Sequence, residues 1–270
     1  MIKKIFVGLA VLMVLLNSCD KIEGKYTEDI VIPPDGSEGS VAVLFEFTGW
    51  DCTNCPGAHR EIAELKDKLG KNFLPISIHA GNFAVPCSTC PDFRTVEGTE
   101  IHDYFSPIMY PIGAVNGIGS DYLEPLDSWG EAAVDAIHEV SQADVHIKMM
   151  LKDSDSKIEV VVKVEFTLEL IPEGKYWLGV YLTEDKVIGP QKDGSTEIED
   201  YEHEHMFRAS FNGAFGEEIA INPLAGEEVT KTYTIDIKKE WKAKDLDVVP
   251  FIYKKHDGKV IPFRILSDDK

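Results

Sequence analysis

Two cysteine pairs, Cys52/Cys55 and Cys87/Cys90, are the residues of this sequence best suited to chemistry. The first lies in Gly49-Trp50-Asp51-Cys52-Thr53-Asn54-Cys55-Pro56, where an apolar run gives way to a helical pattern. Cysteines two residues apart can close a small disulfide across one turn. A sulfur at a helix start meets unpaired N–H groups and the positive end of the helix dipole, which favour a thiolate. This placement predicts Cys52 as an acidic, reachable nucleophile toward a partner disulfide. Cys55 is then the thiol that resolves the mixed intermediate. Pro56 falls in the first turn, where its missing N–H costs little. Asp51 opposes a neighbouring thiolate and is no helper. The competing reading is a static disulfide bracing a binding domain.

Cys87-Ser88-Thr89-Cys90-Pro91 follows the second expected strand. Adjacent parallel strands open on the same side, so this loop is expected near Cys52. Three readings stay open: a local disulfide, a relay exchanging with the first pair, or one zinc held by four thiolates. Export favours the disulfide. The 31 residues between the pairs also exceed the usual zinc-ribbon gap of about 15 to 20. His203 and His205 are expected on one face of a strand, where they would chelate a metal only with a third ligand that does not stand out.

The elements that must position these groups are legible in part. Residues 41–47 are almost continuously apolar, as in a strand buried on both faces. Ala58, Ile62, Leu65 and Leu69 share one face of a helix over 56–69 that Gly70 stops. A strand over 73–79, a helix over 95–105 and a strand over 112–115 follow. Asn116-Gly117 reads as a hairpin turn leading to another strand. Ser128 through Glu131 has capping-box spacing ahead of a helix whose stripe runs to Val140.

Near residue 144 the hydrophobic period changes to two. Strands are expected over 145–151, 158–170, 176–182, 233–237 and 248–253. Asp257-Gly258 is expected to turn the chain into a last strand over 260–265. Polar outer faces without a convincing helix predict an antiparallel sandwich.

The N-terminus reads as an address. Two lysines precede an unbroken apolar run of 12 residues, 5–16. Spanning a bilayer takes about 20 residues, so the run suits a signal peptide. It ends in Leu16-Asn17-Ser18-Cys19, which resembles a bacterial lipobox and makes Cys19 the expected lipidation site. Residues 1–18 are then the signal peptide and 19–39 a tether. The net charge of −20 opposes binding to nucleic acids and to anionic membrane surfaces.

The β-α-β-α-β order over residues 40–143, with the dithiol after the first strand, resembles the thioredoxin superfamily. The resemblance implies that Glu46, six residues before Cys52, accepts the proton of the resolving thiol. It implies a cis-proline at Pro111 facing the dithiol and presenting backbone groups to a substrate peptide. Trp50 lies one place earlier than usual, the inner dipeptide is Thr53-Asn54, and Ile112 replaces a common threonine. A narrower resemblance rests on the lipobox, Thr48-Gly49-Trp50, His79-Ala80-Gly81, Tyr110-Pro111-Ile112-Gly113 and the run from Tyr201 to Arg208. These are similar to the 28-kilodalton outer-membrane protein family of bacterial lipoproteins. That family implies a thioredoxin-like domain over 40–143 joined to a β-domain over 144–270.

Two functions are consistent with this reading. One is a lipid-anchored thiol–disulfide oxidoreductase acting on exported proteins, without cofactor or zinc. The other is an outer-membrane binding or adhesion lipoprotein whose cysteines are structural.

Overall fold

The computed structural model describes residues 39–88, 90–152, 156–169 and 171–267. The expected signal peptide, Cys19 and the tether up to residue 38 lie outside the described residues.

Strand β1 (Ala42–Thr48) is buried at every position, as its apolar run requires. It pairs in parallel with β2 (Phe73–His79) and antiparallel with β3 (Ile112–Val115). Helix α1 (Cys55–Leu69) links β1 to β2 and turns Ala58, Ile62, Leu65 and Leu69 into the core. It ends at Gly70, whose φ of 57° suits a residue without a side chain. Helix α2 (Val96–Phe105) is capped by Thr95, whose hydroxyl accepts from the Gly98 amide at 2.9 Å. Helix α3 (Trp129–His138) buries Trp129, Ala133, Ala136 and Ile137.

Three local expectations are corrected here. Asn116-Gly117 does not open a hairpin, and no strand follows directly. The Asn116 side chain instead accepts from the Val43 amide at 2.7 Å and donates to the Val41 carbonyl at 3.2 Å. Two short 3-10 turns, Ser120–Tyr122 and Leu126–Ser128, then lead to α3. Because Ser128 is already helical, its side chain caps nothing. Val140 lies beyond the end of α3 and is exposed.

Strand β4 (Ala143–Lys152) begins where the period changes. Strand β5 (Lys157–Phe166) alternates strictly between buried and half-buried positions. It ends four residues earlier than expected: the Thr167 amide continues the ladder to the Gln142 carbonyl, but the Leu168 amide reaches that same carbonyl and the register is lost. There follow β6 (Lys175–Glu184), β7 (Val187–Asp193), β8 (Thr196–His203), β9 (Met206–Ser210), β10 (Glu217–Ile221), β11 (Glu228–Asp236), β12 (Leu246–Lys254) and β13 (Phe263–Ser267).

A seven-stranded sheet runs β10-β6-β9-β2-β1-β3, with β12 along β6. It therefore takes strands from both sides of residue 144. At its middle, β2 and β9 share one registered pair, Ser77 with Met206. A second sheet runs β11-β5-β4-β13, and β7 pairs with β8 alone. The second sheet is not wholly antiparallel, since β13 lies parallel to β4. After the turn at Gly258 the chain pairs back briefly, with Val260 opposite Tyr253 and the Ile261 amide donating to the Ile252 carbonyl at 2.8 Å, and then crosses to the other sheet. One apolar core joins Phe45, Tyr181 and Phe251 of the first sheet to Val160, Phe166 and Phe263 of the second. The protein is thus mixed α/β and mostly strand, arranged in several sheets.

Candidate functional site

The dithiol is built by a tight connection after β1. Gly49 packs so closely on Phe83 that any Cβ there would overlap that residue's backbone. The Asp51 amide donates to the Phe83 carbonyl and the Cys52 amide to the Gly49 carbonyl, each at 3.0 Å. Trp50 Nε1 donates to the Val85 carbonyl at 2.8 Å. Cys52 and Cys55 form a disulfide with Cα atoms 5.4 Å apart. Cys55 is the first residue of α1, and Cys52 occupies the turn directly before it.

The expectation of a reachable sulfur is corrected in this disulfide state: Cys52 is 2% exposed and Cys55 0%. The cover is the β7–β8 hairpin. Its Lys192 amide donates to the Trp50 carbonyl at 2.8 Å, and its Gly194 amide to the Thr53 carbonyl at 2.9 Å. Gln191 Nε2 donates to the Cys52 carbonyl at 3.0 Å. The hairpin also alters the local charge. Lys192 forms an ion pair with Asp51, which holds its ammonium above the usual lysine range. The acid expected to oppose a Cys52 thiolate is therefore offset.

Glu46 is fully buried in β1, and neither carboxylate oxygen has a hydrogen-bond partner among the described residues. His59 of α1 lies beside it, with Nε2 3.4 Å from Glu46 Oε1 and 3.1 Å from Thr48 Oγ1. His59 Nδ1 is 2.8 Å from the Tyr201 hydroxyl. Burial, then the nearby Glu46, pushes the Tyr201 phenol up to about 12. Beyond lie His79 and His203, with ring centroids 5.1 Å apart. Burial pushes His203 down to about 3, with His59 adding to the shift, and drives buried His79 well below the ordinary imidazole value.

The Tyr110–Pro111 peptide is cis and directly precedes β3. Cys87 and Cys90 form a local disulfide with Cα atoms 4.8 Å apart, and both are half-buried. His203 and His205 do not share a strand face, which corrects that expectation. β8 ends at His203, and His205 sits at φ 55° in the turn to β9, paired with Asp185 at 3.1 Å. Among the described residues no group of three or more His, Cys, Asp or Glu side chains is placed to hold a metal ion.

Reading the sequence missed His59, Gln191 and Tyr201 as site residues. His59 carried a signal, since it stands one helical turn after Cys55 and so faces the same way. Nothing in the sequence marks Gln191.

The family model for outer membrane protein Omp28 matches residues 99–264, a segment that begins after both cysteine pairs. No curated protein matches the chain. Among solved structures, HBP35 of Porphyromonas gingivalis is 16% identical with a TM-score of 0.63, covering 84% of this chain and 74% of that one. That likeness establishes a shared fold. Protein AGR_C_4864 from Agrobacterium tumefaciens is 14% identical with a TM-score of 0.44, over 72% of this chain and 78% of that one. A domain of the outer membrane lipoprotein Omp28 from Porphyromonas gingivalis is 21% identical with a TM-score of 0.31, over 48% of this chain and 93% of that one.

Proposed function

Since the chain belongs to the outer membrane protein Omp28 family, we propose that it is a lipid-anchored lipoprotein whose Cys52–Cys55 pair exchanges disulfides with exported proteins. Family membership locates it at the outer membrane of the bacterial envelope. The anchor is read from the apolar run at 5–16 followed by Cys19. The element order β1-α1-β2-α2-β3-α3, with β1 and β2 parallel and β3 antiparallel, supports a thioredoxin-like reading of residues 40–143. Strands β4 to β13 form the β-rich remainder.

The observation that carries the exchange reading is the buried, unbonded Glu46 carboxyl in the strand leading into a dithiol at a helix start. A structural bridge has no use for a buried acid of this kind beside it, accompanied only by the His59 ring at 3.4 Å and costly to bury without hydrogen bonds. A partner thiolate attacking Cys52 would expel Cys55, whose developing charge needs a proton or a dipole. The test is insulin reduction by the intact protein and by Cys52→Ser, together with Cys55→Ser trapping in envelope extracts. Turnover lost in the first variant and a partner held covalently by the second are expected. Equal turnover in Cys52→Ser would overturn the reading.

A second reading, a binding or adhesion lipoprotein with structural disulfides, is favoured by the near-complete burial of Cys52. Under it, dithiothreitol would leave the Cys52–Cys55 bond intact until the protein unfolds.

A further inference from the structure

We propose that His59 is the proton-transfer residue serving Glu46, moving protons between the buried carboxyl and solvent by way of Tyr201. This rests on the thiol–disulfide exchange reading. A carboxyl group that gains and loses a proton in each exchange needs a route to water, and Glu46, fully buried, has none of its own. His59 supplies one. Its Nε2 lies 3.4 Å from Glu46 Oε1 and 3.1 Å from the Thr48 hydroxyl, so the two share that nitrogen, and its Nδ1 lies 2.8 Å from the Tyr201 hydroxyl. An imidazole engaged at both nitrogens can accept a proton at one and release it at the other. His59 is also one helical turn from Cys55, on the same face of α1. Its outer end and Tyr201 border a cavity of about 250 Å³ lined also by Arg60, Glu202, Glu204 and His205.

The step balances as follows. A partner thiolate attacks the Cys52 sulfur and breaks the Cys52–Cys55 bond. Cys55 leaves as a thiolate and takes a proton from Glu46, which is replaced from solvent through His59. The partner's second thiolate then attacks the partner sulfur held on Cys52, forming the partner disulfide and freeing Cys52. Two electrons pass from the partner dithiol to the protein. The reverse sequence reduces a partner disulfide and sends the proton outward.

The titratable and charged groups facing His59 are Glu46 from β1, His79 from β2, Tyr201 and His203 from β8, and the neighbouring Arg60, itself paired with Asp193 of β7 at 3.3 Å. The experiment is reduction of the intact protein by dithiothreitol between pH 5 and 9. Alkylation and mass spectrometry of the peptide carrying Cys52 and Cys55 provide the readout. His59→Gln should slow reduction by about tenfold or more and flatten its pH profile. The His59→Gln/Glu46→Gln double variant should be no slower than Glu46→Gln alone. Added imidazole should restore the rate of His59→Ala, and Tyr201→Phe should give a smaller loss in the same direction. Urea unfolding of each variant separates these effects from misfolding. A wild-type rate and profile in His59→Gln, or losses that add in the double variant, would overturn the relay while exchange stands. A wild-type bond that resists reduction in the native fold would overturn the exchange reading and the relay together.

Discussion

Gln191 Nε2 donates to the Cys52 carbonyl across 3.0 Å, from a hairpin 139 residues farther along the chain. The same amide reaches the Gly49 and Lys192 carbonyls. One side chain therefore ties the cover to the dithiol turn.

Gln191→Ala should weaken the cover. The Cys52 and Gly49 carbonyls keep the Cys55 and Cys52 amides as partners, so the variant loses only the Gln191 bonds, about 0.5 to 1.5 kcal/mol each. If that cost falls on the closed state, native-state reduction of Cys52–Cys55 by dithiothreitol should accelerate by roughly tenfold. Alkylation time courses check this, and a rate equal to wild type would show that the hairpin does not gate the bond.

Acid should destabilise the fold through its buried histidines. His203 titrates near 3 in the folded protein and near the ordinary 6.5 once unfolded. Between those values the unfolded chain binds the extra proton, so stability rises with pH. His203 thus imposes no penalty above about 6.5, and stability is lost as pH falls below it. The expected slope is about 1.4 kcal/mol per pH unit for the histidine, and His79 acts in the same direction. Urea unfolding at pH 7 and pH 5 measures it, and His203→Gln should narrow the difference.

The buried Arg208–Glu184 pair should be costly to break. Arg208 Nε donates to Glu184 Oε2 at 2.6 Å, and Glu184 Oε1 accepts from the Lys242 amide at 2.8 Å. Arg208→Ala strands a buried carboxylate, with an expected loss of about 3 to 5 kcal/mol. The Arg208→Met/Glu184→Leu pair should lose less in the same denaturation experiment.

Gly179 lies in β6 beneath the Phe251 ring, which occupies the place a Cβ would take. Gly179→Ala should cost about 1 to 3 kcal/mol by forcing that ring aside. A lowered melting temperature checks it, and an unchanged one would mean that the sheet shifts freely.

The parts that could be read from the sequence are those whose burial writes a period into it. β1 is apolar throughout because both its faces are covered, and β5 alternates because one is. The turn carrying Cys52 and Cys55 announces itself through residue type and spacing. The β7–β8 hairpin does not. Residues 196–202 are mostly exposed and acidic, so nothing apolar marks them as strand. The hairpin docks in part through the backbone amides of Lys192 and Gly194, contacts that leave no apolar pattern in the sequence. Strands β9 and β10 have five residues each, too few to show a period. Asn116 looks like a turn residue, and its tertiary task of bonding Val43 and Val41 cannot be seen locally. The relay from Glu46 through His59 to Tyr201 joins positions separated by up to 155 residues, so only folding brings it together.

The single registered pair between β2 and β9 has a consequence for assembly. A junction that narrow contributes little backbone pairing of its own. What welds the flanks is a knot of rings: Tyr181 stands 4.9 Å from Phe207 and 4.8 Å from Phe251, and Phe251 stands 5.3 Å from Phe45. Such ring pairs contribute about 0.5 to 1.5 kcal/mol each beyond the area they bury. The sheet's continuity at that point therefore rests more on interlocked rings than on backbone hydrogen bonds.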